Sequence, residues 1–531
     1  MNPIQVTAGI AFLISSLLIP TLSNAEEPKA IDFMVDKLLV EGKSPLAEET
    51  INELLSPHQS KRYNLDQLQA VAKSLEQSIR DQGYAFYRVV IPPQSLNQGQ
   101  ITLRIISFSL NEIAVEGNDY FGEDNIKASM PGLEVGQSPN TQNLSEYLKV
   151  ANRHPSKQIK LTFKQSHEAD AVDARLDVNE QRPYQASLIM NNTGTDKTGE
   201  FRMTAAVQHG NLWNKDHILN GSYTTSPDHM ETVQQYGVNY SAPIYPLKGW
   251  ISAYYAFSDV DTGVVGGGGG GDISVTGSGE MYGIHYLQYL PKLGRYEHWL
   301  DLGIDNRFFI NDIRFIDLLI QRKTQIGTNV RSTPFSVLYK GEYPWQIARL
   351  NYHVQWVANT DFGGHNTQLH YSSSRFKAQQ DWDLIRYGAN LNTNLGQWFF
   401  TANLTGQYSH KPLISGEQIG IGGSYSVRGY NERETSADTG EVLKLELYTP
   451  RWQGINLLTF YDYGHGRQQS TVVGEKESWT LSSVGIGARY QWKKHLLASI
   501  DLAHTLDPGT ATGERTNTGT NRIHASIVLR Y

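Results

Sequence analysis

From residue 184 to the C-terminus, apolar and polar residues alternate in segments of about ten residues separated by turn-rich connections. Period-two alternation marks strands with one apolar and one polar face. Sixteen segments are counted, beginning near Tyr184, Glu200, Asp216, Val233, Gly249, Glu280, Arg295, Thr333, Trp345, Trp382, Gly396, Glu441, Ile455, Ser478, His495 and Arg522. The last is the cleanest: Ile523, Ala525, Ile527, Leu529 and Tyr531 alternate with Arg522, His524, Ser526 and Arg530. An arginine facing lipid near mid-membrane costs about 2–4 kcal/mol, so the apolar set is the lipid face. The connections alternate in length as well. Short ones at 291–294, 394–396 and 491–494 suit the periplasmic side, and long ones at 259–279, 311–332, 360–381, 410–440 and 507–521 suit the outside. The pattern predicts a membrane all-β fold, a 16-stranded antiparallel outer-membrane β-barrel over residues 183–531.

Ahead of the barrel the periodicity changes. Leu65, Leu68, Val71, Leu75 and Ile79 recur at helical spacing, Asn64 with Gln67 forms a capping pair, and Gly83 ends the helix. Strands are expected at 32–40 and 84–91, and another where Ile101, Leu103 and Ile105 alternate. From Asn111 the theme repeats: a strand with Ile113 and Val115, a turn at Gly117, helical stretches at 124–130 and 141–150, then strands at 159–163 and 171–178. Two small α/β modules, 26–108 and 109–182, are the reading. Neither carries a phosphate loop, a metal cluster or a nucleophile–base pair. Modules of this kind bind extended peptides by strand addition to a sheet edge.

Composition narrows the class. The 531 residues include 29 Tyr, 10 Trp and 48 Gly, and only 39% are hydrophobic, which fits strands that are polar at every second position. There is no cysteine, so neither a disulfide framework nor a thiolate metal site exists. The net charge of −7 is mild and argues against nucleic acid, which calls for a basic face. Residues 1–25 hold no charged side chain, contain the apolar stretch 10–19, and end in Ser23, Asn24 and Ala25. They read as a secretory signal peptide. The absence of Lys or Arg from its start departs from that pattern and keeps a short membrane anchor open as the alternative. Beyond residue 25 no run of about 18 apolar residues occurs, which excludes a helical membrane protein.

The candidate chemistry lies near the C-terminus. Gly422, Gly423, Ser424, Tyr425, Ser426, Val427, Arg428, Gly429 and Tyr430 fall in the long loop between the eleventh and twelfth segments. Phe460, Tyr461, Asp462, Tyr463 and Gly464 fall on the thirteenth. A loop arginine is ordinarily solvated. Here Arg428 is flanked by Gly429, which permits close backbone approach, and by the aromatics Tyr425 and Tyr430. By the period-two rule Asn456, Leu458, Phe460, Asp462 and Gly464 share one face, the wet lumen rather than lipid. A carboxylate there wants a partner, and a planar guanidinium is the best bidentate one.

These two motifs resemble the signatures of the superfamily of outer-membrane protein-translocating barrels that includes BamA and the two-partner secretion transporters (TpsB), of the ShlB/FhaC/HecB haemolysin secretion/activation type. The segment from Ile91 through Pro92, Pro93 and Gly99 to Gln100 likewise resembles the end of a first POTRA domain in TpsB proteins. The resemblance spans essentially the whole mature chain, and two POTRA-like modules point to TpsB rather than to the BamA type. It implies that the loop folds back into the lumen, where Val427, Arg428, Gly429 and Tyr430 form a translocation motif answered by Phe460, Asp462 and Gly464 on the wall. It also implies a non-enzymatic pore in the outer membrane of a Gram-negative bacterium, with periplasmic POTRA domains that capture a large secreted TpsA-type exoprotein and export it without ATP, nucleotide or cofactor. Terminal Tyr531 resembles the signal read by the barrel assembly machinery, though phenylalanine is commoner there. Only residues 26–31 precede the first expected strand, so the plug helix of many relatives is not expected. An insertase for other barrels and a barrel enzyme are the rival readings. For the enzyme, Asp462 with His465 is the nearest constellation, and it lacks a nucleophile.

Overall fold

The computed structural model describes residues 32–531 apart from 96–98, 196–197, 232, 260–261, 266–272, 277, 311–313, 318–321, 326–327, 473–475 and 510–515. The expected signal peptide (1–25), residues 26–31 and the glycine run 266–271 lie outside the described residues.

The chain divides into two compact units after Ser107. In the first, the helix Leu65–Asp81 begins with the expected capping box: Asn64 Oδ1 accepts from Gln67 N and Gln67 Oε1 from Asn64 N, both at 2.9 Å. Its buried stripe of Leu68, Val71, Leu75 and Ile79 packs with Ile101, Leu103 and Ile105 of the sheet. Leu65, expected in that stripe, is exposed. It occupies the first helical position. The central strand Gln100–Ser107 runs parallel to Lys37–Glu41 and antiparallel to Tyr87–Val90. The first expected strand is split at Asp36 into Phe33–Val35 and Lys37–Glu41, because its first half pairs with Lys61–Tyr63 instead. A helix at Glu48–Leu55 was not anticipated.

The second unit opens with another three-stranded sheet, Ser109–Glu116, Ala171–Glu180 and Lys157–Gln165, with Ala171–Glu180 central. Helices Glu123–Ala128 and Thr141–Ala151 pack on it. Its core of Leu110, Ile126, Leu144, Val150, Ile159 and Leu176 does not stop at residue 182. It runs on into the barrel through Ile218, Tyr245, Trp250 and Leu287.

The barrel is a closed ring of sixteen antiparallel strands; the eighth is Val330–Ser332 continued by Pro334–Pro344 after a break at Thr333. The first strand, Tyr184–Asn191, pairs with the last, Asn521–Arg530, and closes the ring. Apolar residues such as Val207, Ile284, Ile486 and Ile523 stand exposed on the lipid face. Asp305, Arg307, Asp462, Asp501 and His524, on the inward face, are buried. The long connections carry structure of their own, including the helix Gln368–Ser374. The connection 409–438, between the eleventh and twelfth strands, holds the turn Ser415–Glu417 and a ribbon of Ile419–Ile421 paired with Thr435–Ala437.

Candidate functional site

The site is the inner end of that loop, set against the inward faces of strands twelve to sixteen. The strand Ile455–Arg467 buries Leu458, Phe460, Asp462, Gly464 and Gly466 on one side and turns Leu457, Thr459 and Tyr461 outward. Alternation alone therefore aims Asp462 into the lumen. Arg428 Nε donates to Asp462 Oδ2 at 2.7 Å and Nη2 to Oδ1 at 2.8 Å, the bidentate fork that fixes orientation as well as distance. The Arg428 backbone N–H adds a third bond to Oδ2 at 3.1 Å.

Two further carboxylates share the cation. Nη1 lies 2.8 Å from Glu446 Oε1 and 3.3 Å from Asp501 Oδ2, and Asp501 is also forked by Arg489 at 2.6 and 2.9 Å. The guanidinium lies over the Phe460 ring at 3.5 Å from its centroid, so the motif aromatic supplies a face for the cation. With Arg428 1% and Asp462 0% exposed, the fork itself is fully desolvated and its strength rests on complete pairing.

The neighbouring motif residues make the approach possible. Val427 is buried with Ile421, Tyr430, Val442 and Leu481. A Cβ on Gly464 would stand 2.5 Å from Ile421 Cγ2 and 2.8 Å from Val427 Cγ2, so glycine on the wall is the space that the loop occupies. Gly429 has φ +95° and no room for a side chain, since Thr505 Cγ2 would lie 2.9 Å away. Its N–H donates to His524 Nε2 at 2.9 Å. The buried Tyr430 hydroxyl sits between the carbonyls of Ser482, 2.9 Å, and Asp507, 2.7 Å.

All seven motif residues thus meet at one place. Tyr425, read with Tyr430 as a flanking aromatic, stays exposed. Glu446, Asp501 and His524 were missed by sequence reasoning. Each sits at an inward position of its strand, and a titratable side chain at such a position was the available signal. Tyr531 lies apart from the loop, exposed at the seam, where its backbone N–H donates to the Ala186 carbonyl at 2.9 Å. The Asp462–His465 pairing fails on parity: His465 is on the outward side and its Nδ1 lies 3.2 Å from Thr480 Oγ1. Among the described residues no cluster of His, Asp and Glu could hold a metal ion.

The family model for haemolysin secretion/activation proteins of the ShlB/FhaC/HecB type matches residues 171–490. The chain belongs to this family. A ShlB-type POTRA domain model matches residues 33–107. The heme/hemopexin transporter protein HuxB of Haemophilus influenzae (strain 86-028NP) is 19% identical over 89% of this chain and 83% of its own length. The outer membrane transporter CdiB of Escherichia coli O6:K15:H31 is 22% identical over 78% of this chain and 68% of its own. Among solved structures, CdiB from Escherichia coli superposes with a TM-score of 0.74 at 18% identity, covering 96% of this chain and 93% of that one. The family is one of two-partner secretion transporters, outer-membrane barrels with periplasmic POTRA domains.

Proposed function

We propose that this transporter exports a large TpsA-type exoprotein from periplasm to cell surface without ATP. In this reading residues 1–25 are a signal peptide, 26–108 and 109–182 are the capturing POTRA modules, and 183–531 form the pore. The observation that carries it is the Val427–Arg428–Gly429–Tyr430 segment buried inside the barrel by the fork on Asp462. A loop seated there as a removable part of the lumen suits a pore that passes a chain only on demand.

Capture is supported by the first module's groove of about 510 Å³, lined by Leu65, Gln69, Lys73, Val90, Ile91 and Pro92 between the helix Leu65–Asp81 and the strand Tyr87–Val90. An apolar floor beside a strand fits an extended peptide. The exposed apolar belt meets outer-membrane lipid, and Tyr531 at the seam is the feature for the barrel assembly machinery to read. Folding of the cargo outside biases the passage. The test is reconstitution: purified full-length chain in liposomes is given an unfolded targeting fragment of the exoprotein with no nucleotide. Fragment protected inside the vesicles is the expected result. A requirement for ATP, or equal uptake by liposomes without the chain, overturns the reading.

A further inference from the structure

The loop meets the barrel wall a second time, on strands far from its tip. Glu417 closes the turn Ser415–Glu417 at the start of the loop and is fully buried. Its Oε2 accepts from Arg307 Nη1 at 2.7 Å and lies 3.3 Å from Arg386 Nη2. Those arginines project inward from the seventh strand, Glu297–Phe309, and the tenth, Asp383–Leu395. Arg307 is braced by Asp305 Oδ2 at 2.8 Å, while Asp305 Oδ1 is occupied by Tyr254 OH at 2.7 Å and His285 Nε2 at 3.0 Å. The Glu417 carbonyl accepts from Gln407 Nε2 at 3.0 Å. Arg428, in contrast, binds strands twelve, thirteen and fifteen through Glu446, Asp462 and Asp501. The loop is strung across the lumen between two separate ion clusters.

The clusters differ in chemistry. At the tip the loop supplies the cation and the wall the carboxylates. At Glu417 the loop supplies the carboxylate and the wall two cations. Both arginines converge on a single oxygen of Glu417, whereas Asp462 engages Arg428 through both of its oxygens. Removing Glu417 leaves the nearly buried Arg307 and the part-exposed Arg386 as like charges facing one another with only Asp305 to offset them, and they repel and draw in water.

We propose that Glu417 is a positioning residue for export, a second latch that holds the first limb of the loop in the lumen through Arg307 and Arg386, so that the pore opens by releasing two separable ion clusters. The inference rests on the barrel being an export pore, and its test needs no cargo. Since the chain has no native cysteine, single reporters can be placed at Ile414, beside Glu417, and at Val427, beside Arg428. Both are buried, and both Ile414→Cys and Val427→Cys should react slowly with a maleimide when the full chain sits in liposomes. Glu417→Gln should raise the labelling rate at Ile414→Cys by about tenfold and leave Val427→Cys nearly unchanged. Arg428→Ala should do the reverse. An unchanged rate at Ile414→Cys, or an equal rise at both reporters, overturns the second latch. If Glu417→Gln fails to give a heat-modifiable barrel, Arg386→Gln replaces it; it spares the shorter Arg307 contact and removes the longer one together with the Arg386 Nε bond to Gln407 Oε1 at 2.9 Å. It should raise the Ile414→Cys rate by about twofold to fivefold, and no rise there sinks the proposal. Because no exoprotein is present, a failed latch leaves the export reading standing. A failed reconstitution of export leaves the labelling result standing in turn.

Discussion

At the loop tip a guanidinium meets three carboxylates; where the second α/β module enters the barrel, an ammonium meets one. Lys157 Nζ is bonded to Asp216 Oδ2 and to Asn125 Oδ1, the latter at 3.0 Å, and both charged side chains are 0% exposed. Asp216 also accepts from Tyr245 OH. Around them lie Phe121, whose ring centroid is 5.2 Å from Nζ, and the continuous core of the module. Burial pulls the Lys157 pKa down, with Asp216 opposing. The two contacts are therefore suited to different tasks. A planar cation with several acceptors in a lumen can exchange partners and regain water as it leaves. A point charge with one carboxylate in a dry core has nowhere to go, and separating the pair costs the full desolvation of both ions. The first is built as a catch, the second as a fixed joint.

Arg428→Ala should break the comparison most severely. It leaves Asp462 unpaired in the wall, a penalty of about 3–5 kcal/mol concentrated on the loop. Secretion of a co-expressed exoprotein should fall to a small fraction of wild type while the unboiled gel mobility of the barrel is kept. Asp462→Ala should match it, and the double variant should be little worse than either, because the two act through one contact. Additive defects would show that they act separately.

Lys157→Met probes the other contact at nearly constant volume. It strands the Asp216 carboxylate, and about 3 kcal/mol should be lost from the joint between module and barrel. Limited proteolysis should then cut within 109–182 faster than in wild type. The paired change Lys157→Met with Asp216→Asn removes both charges, keeps a residue that tolerates the φ of +61° at position 216, and should recover most of that resistance. If the single variant resists protease like wild type, the joint is not held by this pair.

The two contacts were unequally visible in the sequence. The strand pattern, the helix cap at Asn64 and the loop motif could all be read because each is written in local spacing. The meeting of the arginine with its aspartate came from the resemblance of the two motifs, supported by the flanking Gly429 and by the inward parity of Asp462. Lys157 and Asp216 carried no such signal. Lys157 opens a strand that also bears Lys160 and Lys164, so its burial depends on which end of that strand docks on the barrel. Asp216 sits in a turn, where an acid is the ordinary choice. Glu417 was hidden for the same reason, its partners lying on two strands distant in sequence. Long-range ion pairs between elements leave no period to detect.

Gly464→Ala tests the wall side of the catch without touching a charge. The added methyl meets Ile421 and Val427 at contact distances no side chain tolerates, so the loop must shift. Overpacking of this kind costs about 1–3 kcal/mol. Export should drop partially, and Val427→Ala in the same chain should restore some of it by making room. Full export by Gly464→Ala would mean that the loop is not seated in that gap during transport.

The smallest effect is expected from pH, and it falls on the joint alone. His154 is buried beside Lys157 and Asp216, and its pKa is lowered to about 4, first by burial and then by Lys157, against the opposing pull of Asp216 and the Gly210 carbonyl. Its ring is fixed in one neutral form: Nε2–H donates to the Gly210 carbonyl, and Nδ1 accepts from Ser156 N–H at 3.1 Å. Protonating Nδ1 destroys that acceptor. The folded state therefore binds the proton less readily than the unfolded chain, whose histidine titrates near 6.5. Stability from this group is whole above pH 6.5 and declines as the pH falls toward 4, losing about 1 kcal/mol by pH 5.5. Thermal unfolding followed between pH 7.5 and 5 should show a loss that shrinks in His154→Gln, while Val427→Cys labelling, taken at each pH relative to a fully exposed cysteine so that the falling thiolate fraction cancels, stays flat over the same range. An identical pH slope in wild type and His154→Gln would remove His154 from the joint, and a pH-dependent rise in tip labelling would join the two contacts into one device.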